Sequence, residues 1–148
     1  MTSLLRILVI AAAFLLAGCA TKPEHTERIT RNDRVTAVLN KATYLESKRC
    51  LSTRDYDSVT VLDKDRLLFS DRNEAWVNVM RSSCPYLQNY DTVVLDLTTN
   101  RACSLDFVYG VDRFFMRWQR GPSCTLGEFH RISQPDLERV NQVRRGID

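Results

Sequence analysis

The sequence predicts an α+β fold: a small, mainly antiparallel β-sheet, drawn as a curled sheet or small barrel, with a helix near each end and two disulfides. Three observations carry this expectation. Short apolar runs with a period of two recur between polar turn clusters from Ser58 to Ile132. Helical spacing frames them, with Val35, Val38, Leu39, Ala42 and Leu45 before and Leu137, Val140 and Val143 after. Five cysteines are present, and four of them, Cys50, Cys84, Cys103 and Cys124, remain for bridges once Cys19 is assigned to a lipid.

The elements follow in order. Asp33 caps a helix running to about Glu46, although the β-branched Val35, Thr36, Val38 and Thr43 are weak helix formers. Val59-Thr60-Val61-Leu62 and Leu67-Leu68-Phe69 are strands joined by the polar turn Asp63-Lys64-Asp65-Arg66. Asp71 to Glu74 makes a second turn into Ala75 to Met80, completing a meander; this third run also fits a turn of helix. Pro85 after Cys84 bends the chain. Thr92 to Leu97 and Ala102 to Val108 form a hairpin around Thr99-Asn100-Arg101, since Asn tolerates left-handed backbone. Arg113 to Arg120 reads as one strand, Phe114, Met116 and Trp118 alternating with Phe115 and Arg117. Gly121-Pro122 and Gly127 mark a loop around Cys124, and Phe129 to Ile132 is a last short strand. Ser133 then caps a closing helix, with Pro135 in its first turn and Asp136 at capping-box spacing.

The first residues carry an address. Arg6 supplies a positive start, Ile7 to Leu16 is an apolar run, and Leu16-Ala17-Gly18-Cys19 ends it. That run falls short of the about 20 apolar residues a spanning helix needs, and suits a secretory h-region. Leu-Ala-Gly-Cys resembles the lipobox of bacterial lipoproteins. Residues 1–18 are therefore expected to be a signal peptide, with Cys19 lipidated as the anchor to the membrane. Under the Gram-negative sorting rule Asp after the cysteine retains a lipoprotein at the inner membrane, so Ala20 favours the outer membrane, facing the periplasm. Residues 19–32 are expected to be a lipidated flexible tether, because Ala20 to Asn32 holds one large apolar residue. Residues 33–148 make a single globular domain.

The formal charge of +3 includes Arg6, so the chain after Gly18 is about +2, too weak to argue for nucleic acid. Beyond Cys19, an even number of cysteines in an oxidising compartment reads as two structural disulfides. Three pairings are possible, and the sequence does not choose among them; sequential pairing, Cys50–Cys84 with Cys103–Cys124, is slightly favoured. There is no C-x-x-C and only His130 follows a cysteine at modest distance, so neither a zinc site nor a redox pair is expected. No cofactor is expected either.

Cys50-Leu51, Val61-Leu62-Asp63, Trp76-Val77-Asn78 running to Cys84-Pro85-Tyr86-Leu87, Cys103-Ser104-Leu105-Asp106 and Cys124 to Phe129 follow one another in a distinctive order. Over roughly Cys50 to Ile132 the chain resembles a family of small uncharacterised proteins exported by Proteobacteria. The resemblance implies paired cysteines and an envelope location, and it brings no activity.

Catalytic chemistry is poorly supported. Ser104, Asp106 and His130 are the residue types of a hydrolytic triad, but no G-x-S-x-G elbow occurs. Asp96 and Asp106 on facing strands would make a carboxylate pair, explained more simply by nearby arginines. The best functional patch is Arg113, Phe115 and Arg117, a basic-aromatic face suited to an anionic glycan, an anionic lipid headgroup or an acidic envelope protein. A solvated edge strand guarded by arginines is the plainer explanation. The sequence thus favours a non-catalytic binding or structural module of the cell envelope over a small envelope hydrolase using Asp106 or His130.

Overall fold

The computed structural model describes residues 24–90, 92–114 and 117–147, with side chains for all of these except 24–30, 113, 114, 117 and 118. The lipobox, Cys19 and Phe115 lie outside the described residues.

Five strands form the main sheet: β1 (Tyr44–Lys48), β3 (Ser58–Val61), β4 (Arg66–Ser70), β5 (Ala75–Val79) and β10 (Glu128–Ile132). Their order is β1-β10-β5-β4-β3 and every pairing is antiparallel. The expected meander is β3-β4-β5, so Ala75 to Val79 is strand. Two smaller antiparallel sheets accompany it. One pairs β2 (Cys50–Ser52) with β7 (Arg101–Cys103), and the other orders β6 (Thr92–Asp96), β8 (Phe107–Phe114) and β9 (Arg117–Thr125) as β6-β8-β9. Helices α1 (Glu24–Leu39) and α2 (Gln134–Arg145) stand near the two ends of the described chain, and a 3₁₀ turn spans Pro85–Asn89.

The sheets do not close into a barrel. The central strands explain why, because β4 and β5 are buried along consecutive residues rather than alternate ones. Leu67, Phe69 and Trp76 point into a core shared with Phe129, Leu51, Ala102 and Val108, under the two small sheets. Leu68, Ala75 and Val77 point the other way, against Val35 and Leu39 of α1, Val140 of α2 and Ile132. A sheet with apolar side chains on both faces needs a layer on each. Helices cover one face and small sheets the other.

Several boundaries differ from expectation. The first helix lies at Glu24–Leu39 rather than 33–46, so the part of the expected tether from residue 24 onward is helical. Val35, Val38, Leu39 and Ala42 still face the helical core, whereas Leu45 sits on β1 and is exposed. The run from Ala102 to Val108 is split into β7 and β8, and β6 pairs with β8 across the gap. In between, Leu105 takes the left-handed φ of 89°, which a branched side chain seldom adopts. The single strand expected from Arg113 to Arg120 is two strands, with Phe114 opposite Arg117. β9 then runs on through Gly121 and Pro122, where a loop was expected; as an edge strand it tolerates proline.

The disulfides are Cys50–Cys103 and Cys84–Cys124, not the sequential pairs. Cys50 stands directly opposite Cys103 in the β2–β7 ladder, with Cα atoms 4.0 Å apart, so strand register rather than proximity in sequence sets this bridge. Cys84 and Cys124, 6.1 Å apart at Cα, are both buried in the core under the small sheets.

Candidate functional site

The five-stranded sheet ends on one side at β3, and the three-stranded sheet begins at β6. A cleft of about 740 Å³ opens where these two edge strands meet the helices. Its floor is apolar: Val59 and Val61 of β3 and Val93 of β6, with Thr60 between the first two. α1 contributes Arg31 and Asn32, the 3₁₀ turn contributes Gln88, and α2 contributes Asn141, Arg144 and Arg145.

Local structure holds each wall. The Asn32 amide donates to the Gln88 side-chain oxygen, tying α1 to the 3₁₀ turn across 56 residues of sequence. α1 is fixed further along by Asp63, which is buried at 3% exposure in the β3–β4 turn. Its carboxylate accepts from Thr36 Oγ1 at 2.7 Å, from Arg66 Nη1 at 3.0 Å and from the Asp65 N–H at 2.8 Å. α2 is fixed at its start by Asp136, also buried. Asp136 accepts from Ser133 Oγ at 2.6 Å, from the Thr43 N–H at 2.8 Å and from Arg139. These bonds, Ser133 foremost, hold its carboxyl below the usual carboxylate range. Ser133 thus stands at the expected cap position but bonds Asp136 rather than a backbone N–H.

Tyr90 also lines the cleft. A Cβ on Gly110 or Gly121 would overlap its ring, so the two glycines of β8 and β9 make the slot in which it lies. Between Tyr109 and Val111 the β8–β9 register shifts, with Tyr109 opposite Ser123 and Val111 opposite Arg120. Gly121 and Pro122 therefore face Gly110 together, a bulge at the point where the ring needs room.

Arg31 stands midway along α1, whereas the other two arginines stand at the end of α2. Arg144 and Arg145 occupy the last turn of α2, where cations complement the helix dipole. Arg144 bonds Asn141 Oδ1 at 3.5 Å and Arg145 bonds the Asn141 carbonyl at 3.2 Å. Burial pushes the Arg144 pKa down from its ordinary value, because desolvation disfavours the cation. None of the described side chains lining the cleft is acidic.

The residues singled out from sequence are placed elsewhere. Arg113 and Arg117 lie on different strands of the β8–β9 hairpin, opposite Trp118 and Phe114, so they do not share one strand with Phe115 between them. Ser104 and His130 do line one groove, of about 490 Å³, together with Arg49, Arg81 and Glu128. His130 Nδ1, however, is bonded to Ser47 Oγ at 2.7 Å, and Asp106 accepts from the Cys103 N–H at 2.7 Å. Ser104, Asp106 and His130 do not hydrogen-bond one another, so no triad is assembled. Asp96 is opposite Phe107 and pairs with Arg120 at 3.7 Å, so it forms no carboxylate pair with Asp106. Among the described residues no group of three or more His, Cys, Asp and Glu is placed to hold a metal ion, and no helix is long and apolar enough to cross a membrane.

Fold and cleft together define a three-layer, disulfide-stapled antiparallel α+β domain with a basic cleft at the junction of its sheets. The chain belongs to a family of unknown function, DUF6491, whose model matches residues 1–147. The match extends well beyond the Cys50 to Ile132 region on which the resemblance was drawn. No curated protein and no solved structure matches the chain.

Proposed function

We propose that this protein is a lipid-anchored, non-catalytic binding module of the bacterial cell envelope, which receives its ligand in the cleft between α1, α2, β3 and β6. The cleft carries the reading. It converges polar groups from both helices and the 3₁₀ turn over an apolar floor, the usual composition of a small-molecule site. The anchor is argued from Leu16-Ala17-Gly18-Cys19 after the apolar run. Lipidation at Cys19 would hold the domain at a membrane surface, the outer membrane being favoured by Ala20. An oxidising compartment agrees with two disulfides in a domain this small.

Expression of the full chain in a Gram-negative host tests the anchor. Intact-mass analysis is expected to show cleavage before Cys19 and addition of diacylglycerol, with the protein in the membrane fraction. The Cys19→Ser variant is expected to keep residues 1–18. Wild-type protein recovered unlipidated would overturn the anchor.

A further inference from the structure

Leu105 stands in the left-handed region and yet is 54% exposed. A bulky side chain there strains the backbone, and one left in water gains no burial in exchange. Glycine would make the same turn without the strain. The turn is nevertheless held firmly. Cys103 is bridged to Cys50, and the Ser104 N–H donates to the Arg49 carbonyl at 2.7 Å. The Leu105 N–H donates to the Leu126 carbonyl at 3.0 Å, and the Leu126 N–H to the Asp106 carbonyl at 2.9 Å. Two residues on, Phe107 is 50% exposed; Val108 points into the core, so Phe107 points to the opposite face of its strand. A rigid turn thus presents two apolar side chains outward, one of them in a conformation it disfavours.

The groove of about 490 Å³ adjoins this turn on both sides. Ser104 precedes Leu105, and Gly127 follows its partner Leu126; both line the groove. Phe107 stands opposite Thr125, whose carbonyl accepts from the N–H of Arg81, another lining residue. The guanidinium groups of Arg49 and Arg81 and the carboxylate of Glu128 make no hydrogen bond or ion pair among the described residues. His130 and Asp106, the other titratable groups at hand, are bonded to Ser47 and to the Cys103 N–H. Two cations and an anion therefore share one groove without pairing. A purely anionic ligand would meet Glu128, and a cation would meet the arginines. A zwitterion suits all three: guanidinium forks match phosphate oxygens, and a carboxylate matches an ammonium that donates hydrogen bonds. An amino acid is zwitterionic too, but would leave Leu105 and Phe107 in water. A phosphoethanolamine headgroup on a lipid supplies both charges and an apolar neighbour.

This surface lies apart from the cleft, and its partner follows from the anchor at Cys19, which would keep the domain beside a bilayer. Resting on that anchor, we propose that the turn is a second membrane contact. Leu105 and Phe107 enter the bilayer interface, and the groove takes the headgroup of an ethanolamine phospholipid, its phosphate on Arg49 and Arg81 and its ammonium on Glu128.

Full-length protein purified from host membranes, with dansylalanine in place of Phe107, is reconstituted into vesicles of brominated phosphatidylcholine. These are used alone, or mixed with phosphatidylethanolamine or with phosphatidylglycerol. Quenching is expected to be about threefold stronger with phosphatidylethanolamine than in the other two, the scale of one exposed ion pair. The same probe at Arg101, at the start of β7, is expected to stay unquenched. Glu128→Gln is expected to erase the preference for phosphatidylethanolamine. Leu105→Gly suits the backbone, so it is expected to keep the melting temperature while lowering the quenching at position 107. The inference is overturned by equal quenching in all three vesicles, by equal quenching at both probe positions, or by wild-type behaviour of either variant. A melting temperature lowered by Leu105→Gly would make the leucine structural and overturn it as well. Benzophenone at position 107 in native membranes is expected to give a phospholipid adduct; adducts with polypeptide alone would hand the surface to a protein partner. Intact mass reads the anchor separately. Lipidated protein that is never quenched sinks this inference alone, and quenched protein without lipid on Cys19 sinks the anchor alone.

Discussion

On one face of the five-stranded sheet, α1 and α2 are held by charged hydrogen bonds, through Asp63 and Asp136. On the other face the small sheets are held by covalent bonds, Cys50–Cys103 and Cys84–Cys124. The difference matters because the cleft lies at the edge of the helical face. A frame locked by disulfides can tolerate a neighbouring layer whose attachment through Asp136 responds to pH. Acid and reductant should therefore act on different halves of the molecule.

The largest effect is expected from the buried bridge. Replacing Cys84 and Cys124 by Ala should cost about 2–5 kcal/mol in urea unfolding, the usual range for loss of a native disulfide from a small domain. The loops closed by the two bridges differ little, 40 residues against 53, so chain entropy alone makes them nearly equal. Only Cys84–Cys124 also sits in the core, so its removal should be clearly the costlier. Equal losses for the two double variants would show that burial adds nothing. Access sets the opposite order under mild reductant: the half-buried Cys50–Cys103 should open first, as alkylation and mass mapping would reveal.

Next in size is Asn78, fully buried on β5. Its amide donates to the Gly127 carbonyl at 2.9 Å and its oxygen accepts from the Gly127 N–H at 3.2 Å. Asn78→Ala strands both groups and should destabilise by about 2–3 kcal/mol. Gly127→Ala should be comparably damaging, since its Cβ would overlap the Val79 carbonyl.

On the helical face the sign follows from Asp136. Its folded pKa is lowered, so the stabilisation is present above the unfolded carboxylate value, about 3.9, and is lost as pH falls through the folded value. Urea midpoints from pH 6 to pH 2.5 should fall more steeply for wild type than for Asp136→Asn. Parallel profiles would remove Asp136 from the acid response. The smallest effect is expected from Asn40→Ala, which deletes an exposed hydrogen bond from Arg66 and should cost about 0.5–1 kcal/mol.

What could be read in advance and what could not fall on both sides of that division. β3, β4 and β5 were legible because polar turn clusters bound each apolar run, and α2 because Ser133, Pro135 and Asp136 mark its start. The start of α1 was hidden, since Glu24 to Asn32 holds little apolar surface and a tertiary bond, Asn32 to Gln88, helps to fix it. The β8–β9 hairpin carries no Gly, Pro or Asn between Phe114 and Arg117 to announce a turn. Disulfide pairing waited on the β2–β7 register. The cleft was least legible of all. Its walls come from residues far apart, from Arg31 to Arg145, and no local motif links them. The one signal was Arg144-Arg145 at the end of the last helix, a pair already accounted for by the helix dipole.

Photocrosslinking in native membranes tests the central claim most directly. A benzophenone side chain at Thr60, on the cleft floor, is compared with one at Arg101, on the disulfide-held side. A specific adduct is expected from Thr60, diminished by Arg145→Gln, and none from Arg101. Adducts from Arg101 alone, or from neither position, would contradict it.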